Sequence, residues 1–190
     1  TFSGSALSST LSYSNNPAEC LLDYLTNTFY GCGDVISDSD LDLNSFIAHK
    51  AFCDTLISHT DKNGATVNAK RYTTNGALNT NDTRDLNISD LVVCSQGIFG
   101  YHLGKFQIIS DTTGSSVMSF NPDNMYGDVT IVNDGFNSTL NKINVSFNSI
   151  DQKFQDDQVF LSLASNQKAY NEPELVQDTR LKYLNNNIMA

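Results

Sequence analysis

The stretch that decides the fold is DTRDLNISDLVVCSQGIFGYHLGKFQII, residues 82–109, because its apolar period changes from helical to strand-like within a few residues. Its first half predicts a helix from about Asp82 to Gln96. The side chains expected to face inward from this helix are Leu86, Leu91 and Cys94.

The second half of this stretch predicts a β-hairpin. Two short apolar runs, Ile98 to Tyr101 and Lys105 to Ile109, are separated by His102-Leu103-Gly104. Two such runs joined by a short link that contains Gly are typical of a β-hairpin. A helix followed by an antiparallel hairpin is typical of the α+β class.

A further helix is predicted to begin at Asn16-Pro17. Asn16 can cap it, proline suits the first helical position, and Glu19 is placed as in a capping box. The residues expected on its apolar face, and the glycines expected to end it, are Leu21, Leu22, Leu25, Phe29, Gly31 and Gly33.

Another helix is predicted after the acidic run 38–42, because negative side chains are favoured at a helix N-terminus. Its expected apolar face is Phe46, Cys53, Leu56 and Ile57. Asp61-Lys62-Asn63-Gly64 should then turn the chain, 66–74 alternates like a strand, and Asn75-Gly76 is a second turn signal.

Beyond about residue 110 the pattern becomes strand-like. The predicted strands are 117–120, 128–132, 140–147 and 158–163, separated by Asn, Asp and Gly. The stretch 166–178 is predicted to be an extended loop, because Pro173 and scattered charges break any period. The fold class is therefore α+β, with a helix-rich N-terminal part that carries a β-hairpin and a strand-rich antiparallel part after it.

Composition limits the function. The 190 residues contain 11 Lys and Arg against 21 Asp and Glu, a formal net charge of −10. Such a surface repels polynucleotides and anionic lipid, so no nucleic acid binding is expected. No apolar run is long enough to span a bilayer. The missing initiator Met and the Asn-rich end suggest a piece of a longer protein.

The cysteines and acidic residues raise the question of a metal. Cys20, Cys32, Cys53 and Cys94 fit no metal-knuckle spacing and are interpreted as small buried residues, with two disulfides as the alternative. His49 and Cys53 are four apart and could share one ion, but no second pair completes a zinc site. Asp38, Asp40 and Asp42 alternate like the start of a calcium loop, yet Leu43 stands where that loop requires glycine. We expect no metal and no cofactor.

Catalytic chemistry is not indicated. The three histidines are His49, His59 and His102, and no Gly-x-Ser-x-Gly elbow places a serine beside any of them. There is no phosphate-binding glycine loop, and adjacent carboxylates such as Asp156-Asp157 need not face each other across a bond. The sequence therefore predicts a protein that is not an enzyme and has no catalytic residues.

Several segments, in register over roughly residues 15–165, resemble the tail tip attachment or central tail hub proteins of lambda-like siphophages. They are NPAECLLDYLTN (16–27) with YG (30–31), LNSFIA (43–48) with CD (53–54), RYTTNG (71–76), GIFGY (97–101) with GKF (104–106), and NKINVSF (141–147). The acidic stretch 34–42 and the Asn-rich loops are not signatures of that family.

The resemblance implies a structural protein of the virion. It implies a homotrimeric hub at the phage tail tip that closes the distal tail tube, contacts the distal tail and tape-measure proteins, and supports receptor-binding or fibre structures. Host receptor contact would be indirect. Residues 1–15 would be a linker or strand tail, 16–112 an α+β hub domain, and 113–190 a strand-rich linking domain or part of the ring-forming domain.

Two other classes remain open on the residues alone. The neutral, amide-rich loops also suit a glycan- or protein-binding module of a bacterial surface adhesin. A hydrolase whose site is dispersed along the chain would need perturbed carboxylates or a metal in a cleft.

Overall fold

The structure is a computed structural model that describes residues 2–3, 6–7, 12–60, 64–121, 123–127, 130, 132, 140–162 and 173–185. Helices and strands are mixed along it, which confirms the α+β prediction. The helices are α1 (Pro17–Thr26), α2 (Leu43–Asp54) and α3 (Arg84–Val93), with a 3-10 turn at Asp38–Asp40. The strands are β1 (Phe2–Ser3), β2 (Ala6–Leu7), β3 (Leu56–Thr60), β4 (Thr66–Lys70), β5 (Gly97–His102), β6 (Lys105–Ser110), β7 (Lys142–Ser149), β8 (Gln155–Ser162) and β9 (Val176–Arg180).

Helix α1 begins as predicted and ends earlier. The Asn16 side chain accepts a hydrogen bond from the backbone N–H of Ala18 at 3.0 Å. The predicted capping box is replaced by a relay in which the Asn16 N–H donates to the Ser14 hydroxyl, and this hydroxyl donates to Glu19. The prediction of Phe29 on the apolar face is wrong, because the helix ends at Thr26 and Phe29 is 95% exposed.

Gly31 lies where the chain passes back along the helix. A Cβ at this position would lie 1.8 Å from the carbonyl oxygen of Tyr24, so only glycine fits. The Cys32 N–H donates to that same oxygen at 2.9 Å, which ties the returning chain to α1. Gly31 therefore permits a close approach after the helix rather than ending it.

Helix α2 is capped by Asp42, which accepts from the Asn44 N–H at 3.2 Å. Phe46 and Cys53 are buried on its inner face, as predicted. The prediction that Leu56 and Ile57 continue this face is wrong, because the backbone becomes extended at Thr55 and both residues lie in β3, paired antiparallel with β4.

Strand β4 ends at Lys70, four residues before the predicted end. The following N–H groups of Arg71 and Tyr72 donate to carbonyls at the end of α2 instead of continuing a sheet. The predicted turn at Asn75-Gly76 is also wrong: the Asn75 N–H donates to the Tyr183 carbonyl at 2.8 Å in an irregular segment.

Helix α3 and the hairpin follow in the predicted order. Thr83 caps the helix, and Leu91 and Cys94 are buried. The inward placement of Leu86 is wrong: its side chain is 55% exposed, and Asn87 is buried instead. Strands β5 and β6 pair from Gly97 opposite Ser110 to His102 opposite Lys105, which confirms the hairpin.

The hairpin turn has the geometry expected of a two-residue link. Leu103 and Gly104 have φ values of 51° and 81°. Positive φ at both central positions is the backbone that matches the right-handed twist of paired strands.

One apolar core joins α1, α2, α3, the hairpin and a segment near the C-terminus. Its buried members are Leu21, Leu22, Tyr24, Leu25, Cys32, Leu41, Phe46, Leu91, Cys94, Ile108 and Tyr183. Gly97 is needed against this core, since a Cβ there would lie 2.7 Å from the Ile108 side chain.

Contacts divide the chain into two compact units. The first unit is Thr1–Asp111 with Val145–Val159 and Thr179–Ala190, and the second unit is Thr112–Asn144 with Phe160–Asp178. The sequence changes character once, near residue 112, whereas the division by contacts returns to the first unit at 145–159 and at 179–190. Tyr183 and Leu184, which are buried, belong to this last part of the first unit.

The later strands form a three-stranded sheet in the order β8-β7-β9. Strands β7 and β8 overlap the predicted strands 140–147 and 158–163. The predicted strand 117–120 is wrong, since these residues are irregular and exposed. The predicted strand 128–132 and the first part of the predicted loop 166–178 lie mostly outside the described residues. The prediction of a loop is wrong for the end of that stretch, which forms part of strand β9.

Candidate functional site

His49 is the centre of a buried polar cluster in the first unit. Helix α2 carries it, and its ring is fully buried. Its Nε2 lies 2.9 Å from the Ser95 hydroxyl, just after α3, and its Nδ1 lies 2.8 Å from the Ser110 hydroxyl at the end of β6. The Cys53 sulfur is 3.6 Å from Nε2. Sequence reasoning missed both serines, which are far from His49 along the chain.

Burial keeps this cluster neutral. It lowers the pKa of His49 to about 4. It also raises the pKa of the Cys53 thiol to about 12, with a smaller contribution from the negative charge of Asp54. A neutral imidazole between two hydroxyls satisfies its own hydrogen bonds, and a protonated thiol is a poor nucleophile. The arrangement crosslinks α2, α3 and β6 inside the core.

The His49–Cys53 pair considered for zinc is brought onto one helix face, as its spacing predicts. A histidine that binds zinc needs a free lone pair on a ring nitrogen, and a cysteine that binds zinc must be a thiolate. Here both ring nitrogens of His49 face serine hydroxyls. Within the described parts of the chain, no group of three or more His, Cys, Asp or Glu could hold a metal ion. His59 in β3 and His102 in the hairpin lie on other elements.

The acidic run 38–42 serves the backbone of its own segment. The Asp40 carboxylate accepts from the Ser37 N–H at 2.9 Å and from the Ser37 hydroxyl at 2.6 Å. These hydrogen bonds lower the pKa of Asp40. Asp42 caps α2. Asp40 and Asp42 thus act as caps in the structure rather than as neighbouring calcium ligands.

All four cysteines lie in described residues, and none of them forms a disulfide bond. Cys32, Cys53 and Cys94 are buried, as the interpretation of small core residues requires, while Cys20 is half-buried. Burial, followed by the negative charges of Asp23 and Glu19, raises the pKa of Cys20 to about 11.

An open groove of about 790 Å³ runs beside α1 in the first unit. We call it the α1 groove, and its lining residues include Tyr13, Glu19, Asp23, Phe29, Tyr30 and Thr74. Tyr13 precedes the helix, the two carboxylates project from it, and the two later rings follow it. The early end of α1 places Phe29 here instead of in the core.

The carboxylates of the α1 groove are held in place by hydroxyl donors. Tyr30 donates its phenol hydrogen to Asp23. This hydrogen bond is the main reason that the pKa of Tyr30 rises to about 12. Ser14 donates to Glu19 at 2.5 Å. Nothing in the sequence singled out these residues as a site, because the early end of α1 is what brings them together.

Exposed apolar side chains form a second surface feature of the first unit. Ile98 and Ile109 lie directly opposite each other on β5 and β6, and both are exposed. Leu103 projects from the hairpin turn. We call these three residues the hairpin patch. Ile98 and Ile109 form an exposed apolar pair, and Leu103 lies at the turn end of the same hairpin.

Comparison with known proteins adds no assignment: neither a scan of protein-family models nor a search of curated proteins found a match to this chain. In the part of the chain that the structure describes, no helix has both the length and the apolar character needed to cross a membrane.

Proposed function

We propose that this chain acts as a structural part of a phage tail tip hub, which closes the distal tail tube and supports receptor-binding or fibre structures. One observation carries the proposal: three of the stretches that resemble hub proteins, 16–27, 43–48 and 97–106, are separated along the sequence yet contribute to one core. Helix α1 packs on α2 and α3, and α2 packs on β6.

The residues within those segments have positions that a common fold would require. Leu21 and Leu25 of the first segment, and Phe46 of the second, are core residues. Gly31 and Gly97 lie where a Cβ would collide with neighbouring atoms. Hence part of the resemblance lies in residues that determine packing, and this part supports a shared fold.

The surface supports a building block held by neighbours. The hairpin patch exposes aliphatic side chains that would gain burial in an assembly. The second unit has its own exposed apolar residues, namely Val117, Met118, Phe120, Met125 and Tyr126. We propose that such surfaces contact other copies in a homotrimer and the distal tail and tape-measure proteins in the virion.

The proposed role requires no catalysis. Both serine–histidine contacts described involve His49, whose ring is buried and neutral. The net charge of −10 argues against direct binding of the nucleic acid inside a tail. The proposed activity is therefore assembly.

Size-exclusion chromatography with light scattering tests the assembly. We expect the mass of a trimer, either for this chain or for a longer one that includes its flanking sequence. Ile98→Asp and Ile109→Asp should shift the mass toward the monomer, because a buried charge opposes association. Val35→Asp, an equally exposed apolar position outside the hairpin patch, is the matched control. A monomer at every concentration, with and without the flanks, would contradict the proposal.

The α1 groove favours one alternative. Aromatic rings beside carboxylates also suit a glycan-binding module of a surface adhesin, since rings stack on sugars and carboxylates accept hydroxyl donors. A monomer that binds oligosaccharides in this groove would favour the adhesin over the hub.

A further inference from the structure

The α1 groove carries an inference that does not depend on the proposed assembly. Its volume of about 790 Å³ is within the range of natural ligand sites and can hold a long side chain with adjoining backbone. All its lining residues belong to the first unit. Three aromatic side chains, Tyr13, Phe29 and Tyr30, are exposed along it.

The charge of the α1 groove has one sign. Glu19 and Asp23 are acidic, and no Lys or Arg is among the described residues that line it. Lys50, whose charge acts on Glu19 from α2, forms an ion pair with Asp54 at 3.0 Å. The fields of Glu19 and Asp23 also disfavour a second negative charge on Cys20. The groove therefore attracts cations.

A third feature is an unused hydroxyl in the wall. Thr74 is only 7% exposed, and its Oγ1 has no hydrogen-bond partner among the described residues. A buried hydroxyl without a partner costs free energy. Its location in the groove wall is consistent with a bound polar group completing its hydrogen bonding.

We propose that the α1 groove binds an arginine side chain presented by an extended segment of a partner protein. The guanidinium group is planar, so it can stack on an aromatic ring while its N–H groups donate to a carboxylate. The first unit already contains a guanidinium over an aromatic ring: the guanidinium of Arg71 lies 4.7 Å from the centre of the Phe52 ring. Exposed rings next to the Asp23 carboxylate offer an incoming arginine both partners, and Glu19, which is largely buried, adds negative charge to the wall.

The proposal is tested by titrating the full ¹⁵N-labelled chain with a peptide and monitoring its amide signals by NMR. The probe is the blocked peptide Gly-Gly-Arg-Gly-Gly, and its match carries citrulline, which has nearly the same shape without the charge. We expect the arginine peptide to shift amides around Asp23 and Tyr30 with millimolar affinity, and the citrulline peptide to bind about tenfold more weakly. A lysine peptide should be intermediate, since ammonium lacks the planar fork.

Two variants locate the binding. Asp23→Asn and Phe29→Ala should each weaken the arginine peptide about three- to tenfold, and neither residue is part of the core. Asp111→Asn and Phe120→Ala are the matched controls, exposed and outside the groove, and should change nothing. Preserved amide spectra show that each variant is folded.

Three results would overturn the proposal. They are the absence of shifts up to about 20 mM arginine peptide, equal affinity for the citrulline peptide, and groove binding of neutral maltotriose without binding of arginine. None of these bears on the mass of the assembly, so failure here is distinguishable from failure of the hub proposal.

Discussion

The two compact units of this protein use similar side chains in different ways. In the first unit, aromatic and aliphatic residues such as Phe46 and Leu25 are fully buried. In the second unit, the described residues 112–121 and 123–127 are irregular and leave Val117, Phe120 and Tyr126 exposed. The difference teaches that burial here follows helix and hairpin packing rather than hydrophobic content alone.

The largest expected effect tests this difference directly. Phe46→Ala should reduce the free energy of unfolding by about 3–5 kcal/mol, because it leaves a cavity in the core. Phe120→Ala removes the same ring from a site that is 69% exposed and should cost under about 0.5 kcal/mol. Urea unfolding followed by circular dichroism measures both. Equal losses would contradict the contrast between the units.

Acid should weaken the first unit through His49. The pKa of His49 is 6.5 in the unfolded chain, whereas burial lowers it to about 4 in the folded protein. The stability contributed by the neutral ring is complete above pH 6.5 and is lost as pH falls to about 4, a change of about 3 kcal/mol. Asp34, Asp40 and Asp54 have lowered pKa values and titrate below this window.

Urea unfolding between pH 4 and pH 7 measures this slope. His49→Gln removes the titrating group and should flatten the slope, while the exposed His102→Gln should leave it in place. A slope that survives in the His49→Gln chain would assign the acid sensitivity to other groups.

A smaller effect is expected at Gly31. Gly31→Ala places a Cβ against the carbonyl of Tyr24 and should cost about 1–3 kcal/mol, because the backbone must move. In the second unit, Gly114 has open space around its Cβ position, so Gly114→Ala should be neutral or slightly stabilising. Thermal unfolding measures both effects. An unchanged stability of Gly31→Ala would show that the backbone after α1 can move to accommodate the added Cβ at little cost.

The smallest effect compares two asparagines. Asn16→Ala removes the cap of α1 and a hydrogen bond to the Lys50 carbonyl, at a cost of about 1–2 kcal/mol. Asn124→Ala removes hydrogen bonds within an exposed turn of the second unit and should cost less than about half as much. A larger loss at Asn124 would indicate that the second unit depends on its turns more than its exposure suggests.

The features predicted correctly from the sequence depend on near neighbours. The cap at Asn16 is defined within a few residues, and so is the hairpin of 97–110. These signals are local hydrogen bonds and backbone preferences, which act before any distant contact forms.

The wrong predictions share a physical cause. Leu86, Phe29 and Leu56 each have the residue type expected inside, yet each is exposed. A helical period can identify an apolar face, but partners elsewhere decide where a helix stops and which of its sides is covered. Asn87 is buried because Tyr24, Asn79 and Tyr183 satisfy its side chain, and two of these partners, Tyr24 and Tyr183, are distant in sequence.

The candidate sites follow the same rule. The spacing of His49 and Cys53 predicted a shared helix face, but Ser95 and Ser110, which make the cluster a closed one, come from other elements. For the α1 groove the sequence offered no signal, since an early helix end and the distant segment around Thr74 form its walls.

The sequence by itself determined the α+β class, the start of α1 and the hairpin, because these depend on interactions a few residues long. Only the tertiary structure decided that Tyr183 closes the core of the N-terminal elements, that His49 is neutral, and that aromatic rings and carboxylates share one groove. Those outcomes require burial and contact between distant residues, and burial is a property of the packed chain.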